Sequence, residues 1–129
     1  MNYRTMFIIN AVVAVLFGLG FLFVPTRMLN LFGTEAFVAT VMVSRFFGTA
    51  MLARGLVLWF AKDVTDAGVQ RGMGIALLVG AVAGLIVTLI GTFASNAVIR
   101  SNGWIAMLIH ILFGLGYVYL VFLKREPAA

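Results

Sequence analysis

The stretch GMGIALLVGAVAGLIVTLIGTFA, residues 72–94, decides the fold. It runs for 23 residues without a charged side chain. As an α-helix, at about 1.5 Å per residue, it is long enough for the roughly 30 Å hydrocarbon core of a bilayer. Polar and apolar residues do not alternate along it. A barrel strand is shorter and alternates, so a transmembrane β-barrel is excluded. Small residues recur every fourth position at Gly72, Ala76, Gly80, Gly84, Thr88 and Thr92. Four residues advance about 400° around a helix, so this stripe drifts slowly; it is expected to be the main packing face, and for part of the helix an interface to another subunit is an equal reading.

Three more apolar runs flank the first, at about residues 5–24, 38–60 and 104–123. Pro25 stops the earliest. Lys62, Asp63, Asp66, Gly68 and Arg71 form a polar turn before residue 72. Ser95, Asn96, Arg100, Ser101, Asn102 and Gly103 separate the last two runs. Lys124, Arg125, Glu126 and Pro127 close the chain. Between the first two spans, Met28, Leu29, Leu31 and Phe32 with Arg27 read as one or two interfacial helical turns or as an ordinary loop. The first run is longer than a signal-peptide core and no A-x-A site follows, so it is expected to stay as an anchor.

Composition agrees. Of 129 residues 64% are hydrophobic and 10% charged, against about a quarter charged in soluble domains. Too few charges remain to cover a water-facing surface. With no cysteine, disulfides, thiolate metal sites and redox dithiols are excluded. The net charge of +5 comes from scattered cations rather than a basic stripe, so no nucleic-acid partner is expected. Arg4, Lys62, Arg71, Lys124 and Arg125 fall on one side of the spans, Arg27 and Arg100 on the other. This asymmetry puts both termini in the cytoplasm of a cell-membrane protein. The expectation is an all-α, integral membrane four-helix bundle, up-down-up-down, in a single domain of residues 1–129.

Each helix offers a seam of small or polar residues: Asn10, Ala14 and Gly18; Ser44, Gly48, Met51 and Gly55; the stripe of residues 72–92; and Ala106, His110 and Gly114. Gly48, Gly55, Gly80 and Gly84 are the expected packing positions, with Gly80 and Gly84 at a close helix–helix contact. An intramembrane arginine is costly and is a functional hypothesis by default. Arg45 and Arg54 point about 180° apart and flank the second seam. Each either snorkels to headgroups or faces the bundle. Only Glu35 and Asp63 lie within sequence reach as partners.

Counting helical rise from the span ends sorts the polar residues into two layers. Arg45, Thr88 and His110 make an outer layer that would bind a small anionic or lipid-like ligand. Asn10, Arg54 and Tyr117 make an inner one. His110, the sole histidine, offers one axial ligand to a haem or pigment, but no cofactor and no metal site is expected. No nucleophile elbow, paired carboxylates or phosphate loop is present, and no catalytic residue is assigned. Trp59 and Trp104 read as interface anchors.

The pattern Leu31-Phe32-Gly33 followed by Arg45 through Gly48, Leu52, Gly55 and Trp59 resembles small bacterial four-helix membrane proteins of the DoxX-like kind. The resemblance covers the whole chain in hydropathy but only the second helix in residues, and some such proteins are similar to accessory subunits of membrane oxidoreductases. No residue role is carried across. The sequence favours a non-catalytic subunit or scaffold packing in a homo-oligomer or larger membrane complex, with membrane lipids as partners. The alternative is intramembrane ligand binding or transport at the outer layer. A third class is a cofactor carrier using His110.

Overall fold

The computed structural model describes residues 1–124, and the described residues contain helices and no strand. Arg125, Glu126 and Pro127 lie outside them. The helices are α1 (Tyr3–Phe23), α2 (Pro25–Leu31), α3 (Val38–Ala61), α4 (Ala67–Phe93) and α5 (Gly103–Val118), which passes into a π turn over Tyr119–Leu123. Four helical stretches are long and apolar enough to cross a membrane.

Caps explain where the boundaries depart from the apolar runs. The Asn2 side chain accepts a hydrogen bond from the Thr5 amide at 2.9 Å, so α1 begins at Tyr3 rather than residue 5. The Asp66 carboxylate accepts from Val69 N at 2.8 Å and starts α4 five residues before the apolar run at Gly72. Hydropathy marks the greasy part of a helix, whereas the cap marks its end. Between the first two spans the helical alternative holds. Pro25 lacks an amide hydrogen, so it ends α1 and takes the first position of α2, where no donor is needed.

The tightest helix pair is α1 with α3. A Cβ on Gly18 would lie 2.7 Å from Leu52 N, and one on Gly48 would lie 2.7 Å from Leu22 N. Lower down, a Cβ on Gly55 would lie 3.0 Å from Ala11 O. Backbone meets backbone here, which is what small residues allow. The second pair is α4 with α5. The His110 ring fills the space over Gly84, and Gly103 sits against the Thr92 side chain.

The expected dominance of the stripe on α4 is corrected. Its buried residues are Gly74, Ala81 and Thr88, spaced by seven. Each four-residue step of the stripe turns about 40° beyond a full circle. Gly72, Ala76 and Gly80 are therefore exposed, and only from Gly84 does the stripe reach α5. A Cβ on Gly72 or Gly80 would meet no atom within 4 Å, so Gly80 makes no close helix contact.

The two pairs join at the end where α1 begins and the π turn finishes. Tyr3, Met6, Phe7, Ala11, Leu58, Tyr117 and Leu120 form one buried cluster there. The π turn contributes Leu120, whose carbonyl accepts from the Tyr3 hydroxyl at 3.2 Å. At the far end two loops interlock. Phe32 O accepts from the amides of Arg100 and Ser101 at 3.0 and 3.1 Å. Leu31 O accepts from Asn102 Nδ2 at 2.7 Å, and Thr34 Oγ1 donates to Val98 O at 3.0 Å. Asn102 takes a left-handed φ of 55°, which asparagine tolerates better than most residues. Most large apolar side chains along the spans point outward, among them Leu16, Phe46, Phe60, Val87 and Phe93.

Candidate functional site

Between the clustered end and the interlocked end the two helix pairs separate, enclosing a cavity of about 430 Å³. Its roof is the cap: Leu29 and Phe32 from the α2 region, Thr34, and Ile99 from the last loop. Its walls are mostly apolar, with Ala14, Phe17 and Phe21 on α1, Phe47 and Met51 on α3, Gly80 and Ala81 on α4, and Ile109 and Phe113 on α5. Two of the lining residues are exposed, Phe47 and Gly80. They stand on α3 and α4, whose backbones do not pack closely, so the mouth opens sideways between these helices.

The floor is polar. Asn10 is buried, and its Nδ2 donates to the Tyr117 hydroxyl at 2.8 Å. Tyr117 has no exposed surface. Arg54 completes the floor, within electrostatic reach of that hydroxyl. Asn10 lies seven residues into α1 and Arg54 seven residues before the end of α3, each about 10 Å along its helix. The inner layer anticipated from helical rise is therefore assembled, from three different helices. Its arginine faces the bundle. The Arg54 Nε is buried and makes no hydrogen bond among the described residues.

The outer layer is not assembled as expected. Thr88 and His110 both line the cavity. Arg45 is exposed on the outside of α3 and is not a lining residue, a correction to the three-residue site. The physical reason is angular. Ser44 and Gly48 face α1, and Arg45, one residue beyond Ser44, is turned about 100° from that face. Arg54 is turned from Gly55 in the opposite sense, toward the cavity. Thr88 Oγ1 donates to Gly84 O at 2.7 Å. His110 Nδ1 lies 2.6 Å from Ala106 O. A carbonyl only accepts, so Nδ1 carries the proton and Nε2, beside Gly84, is an acceptor in the neutral ring. With Nε2 unprotonated, neither side chain offers a free donor, and the donors lining this cavity among the described residues are Arg54 and the second amide hydrogen of Asn10.

The two acidic residues within sequence reach of Arg45 and Arg54 are engaged elsewhere. Glu35 pairs with Arg100 at 3.3 Å across the cap. Asp63 pairs with Arg4 at 3.2 Å and Lys62 at 2.5 Å, beyond the end of α3. Lys62 also lies 5.0 Å over the Trp59 ring, tying that exposed tryptophan to the same end. No carboxylate lines the cavity among the described residues.

Sequence reasoning found every polar lining group except Thr34, yet it missed the apolar wall. The small residues Gly80, Ala81 and Gly84 carried the needed signal, for they leave volume as readily as they permit contact. No family model matches the chain, and no curated protein or solved structure proves similar to it.

Proposed function

We propose that this chain is an integral membrane protein, that α1, α3, α4 and α5 cross the bilayer as an up-down-up-down bundle with both termini cytoplasmic, and that the bundle binds a small lipid-soluble ligand between its helices. The outward apolar side chains and the length of the four helices support the membrane placement. The bias of arginine and lysine toward the end with the termini supports the orientation.

The observation that carries the binding function is the cavity itself. Its volume of about 430 Å³ falls within the range of small-molecule sites, its walls are apolar, and a few polar groups converge at one end. Scaffolding alone gives no reason for a void, since lipid-embedded helices cohere through packing contacts that a void forfeits. The cavity is tested with a neutral, environment-sensitive hydrophobic dye added to the purified protein. The wild type is expected to bind it saturably, and Gly80→Trp, which places an indole at the mouth, is expected to abolish binding. Absence of saturable binding, or equal binding by the variant, overturns this reading.

One observation favours the scaffold as a second reading. Gly72 and Ala76 face outward, and a Cβ on Gly72 meets nothing within 4 Å. A small outward face of this kind accepts another helix closely. The chain has no cysteine, so Ala76→Cys supplies a unique thiol. Disulfide-linked dimers formed in native membranes would support self-association through α4, and their absence under oxidant would refute it.

A further inference from the structure

We infer that the ligand of this cavity is a monoanionic, single-chain amphiphile, its carboxylate on Arg54 and Asn10, and that it enters from the bilayer through the gap between Phe47 and Gly80. This rests on the proposed binding function and names its substrate class.

The charge argument is specific. The floor holds a guanidinium whose Nε is buried without a partner, and no carboxylate lines the cavity among the described residues. A cation left unpaired in an apolar surrounding is costly, and an anion brought to it removes that cost. Arginine presents a planar fork that matches a carboxylate with two parallel hydrogen bonds. Asn10, held in place by Tyr117, offers a further amide hydrogen beside it. The other polar lining groups, Thr88 and His110, have spent their donors on Gly84 O and Ala106 O. With the His110 ring neutral, the free donors for an anionic head lie at the floor.

The size argument limits the body. At roughly 30 Å³ per non-hydrogen group, the share of one water in the liquid, about 430 Å³ holds on the order of fourteen groups. A twelve-carbon carboxylate has about that many. A two-chain phospholipid has several times more and could not be enclosed within the cavity. The cavity runs along α1 from Asn10 to Phe21, about 16 Å at helical rise, which suits an extended chain of this length.

The route follows from which surfaces are closed. The interlocked loops seal the roof, and the buried cluster around Tyr117 closes the space below the floor. The exposed lining residues Phe47 and Gly80 belong to the side of the bundle. A molecule dissolved in the bilayer reaches Arg54 without crossing an aqueous gate.

The test places the full-length protein in nanodiscs of neutral phosphatidylcholine at pH 8.5 and photolabels it with a diazirine-bearing dodecanoate, mapped by peptide mass spectrometry. Label is expected on α3 around Phe47 and Met51. Unlabelled dodecanoate should compete about ten- to a hundredfold better than dodecanol, the range of a hydrogen-bonded charge contact. Arg54→Gln should erase that preference and Arg54→Lys should keep part of it. Gly80→Trp should prevent labelling. Equal competition by dodecanol, or a preference that survives Arg54→Gln, overturns the anionic class while leaving dye binding and the binding function intact. Stronger competition by dodecyl phosphate than by dodecanoate overturns the carboxylate assignment. Loss of both dye binding and cavity labelling in the wild type overturns the binding function as well. If Arg54→Gln does not fold, the comparison of carboxylate with alcohol on the wild type decides by itself.

Discussion

Replacing Gly48 by alanine adds a single carbon at the point where α1 and α3 cross, and the structure gives that carbon no room. It would lie 2.7 Å from Leu22 N, 2.8 Å from Gly18 O and 3.0 Å from Phe21 C. All three are backbone atoms of α1, so no rotamer change relieves them. Ordinary contact begins at 3.4 Å, so the helices must part by about 0.7 Å if they move as rigid bodies. A gap of 0.5–1 Å forfeits about a quarter to a half of each dispersion contact it opens. Overpacking of this kind costs about 1–3 kcal/mol. Alanine also gains about 0.5–1 kcal/mol over glycine within a helix, so the net effect of one variant is blurred. Gly80→Ala removes the ambiguity. It makes the same change inside α4, where the new Cβ meets nothing within 4 Å. The propensity gain cancels in the comparison, and Gly48→Ala should be less stable than Gly80→Ala by about 1–3 kcal/mol. Unfolding in mixed micelles by titration with dodecyl sulfate, followed by far-ultraviolet circular dichroism, measures the difference. Equal midpoints, or a larger loss in Gly80→Ala, would show that α1 and α3 do not meet at this glycine.

Three further outcomes are expected. Tyr117→Phe removes the acceptor for Asn10 Nδ2 and should cost about 0.6–1.7 kcal/mol in the same titration, the span measured for interhelical hydrogen bonds in membranes; no loss would mean that Asn10 is satisfied elsewhere. Gly84→Ala should be destabilising in the wild type, where the His110 ring occupies the space of the new Cβ, and tolerated in a His110→Ala background; equal effects in both backgrounds would refute the contact. Asp63 lies beyond the end of α3, where the hydrogen bond from Lys62 first, with the charges of Lys62 and Arg4, holds its carboxyl below the usual carboxylate range. A depressed native pKa makes its stabilisation present at neutral pH and lost as pH falls below about 4. The stability gap between wild type and Asp63→Asn should therefore close between pH 5 and pH 2, and a gap that stays constant would remove the ion pair from the account.

What the sequence made legible was what depends on one helix at a time. Length and hydropathy placed four helices long and apolar enough to cross a membrane, because a helix satisfies its own backbone within one segment. Helical rise grouped Asn10, Arg54 and Tyr117 because depth along a straight helix is additive. Rotation was harder. Arg45 and Arg54 stood symmetrically about their seam, and only the seating of α3 on α1 showed which one turns inward. The stripe on α4 misled for a related reason. Small residues every fourth position define a slow spiral rather than a face, and nothing in α4 alone marks which part of the spiral meets α5. The interlock of Leu31 and Phe32 with residues 98–102 was beyond reach, since loops that pair across seventy residues leave no local pattern.

The same residues explain why a cavity exists. Glycines draw α1 onto α3 through Gly18, Gly48 and Gly55, and draw α4 onto α5 through Gly84 and Gly103. Near the termini the facing surfaces carry Met6, Phe7, Leu58, Tyr117 and Leu120, and the space between the pairs is filled. Beyond Asn10 and Arg54 the α4 residues that border the space are Gly80, Ala81, Gly84 and Thr88, too small to fill it. In water, burial of apolar surface would reward collapse of such a gap. In the proposed lipid surroundings that drive is weak, because the tails are as apolar as the helices, and the gap costs only the packing contacts it forfeits. Under the proposed binding function, a chain-like ligand restores the packing contacts that the gap forfeits, and the unpartnered guanidinium at its floor favours one that carries a negative charge.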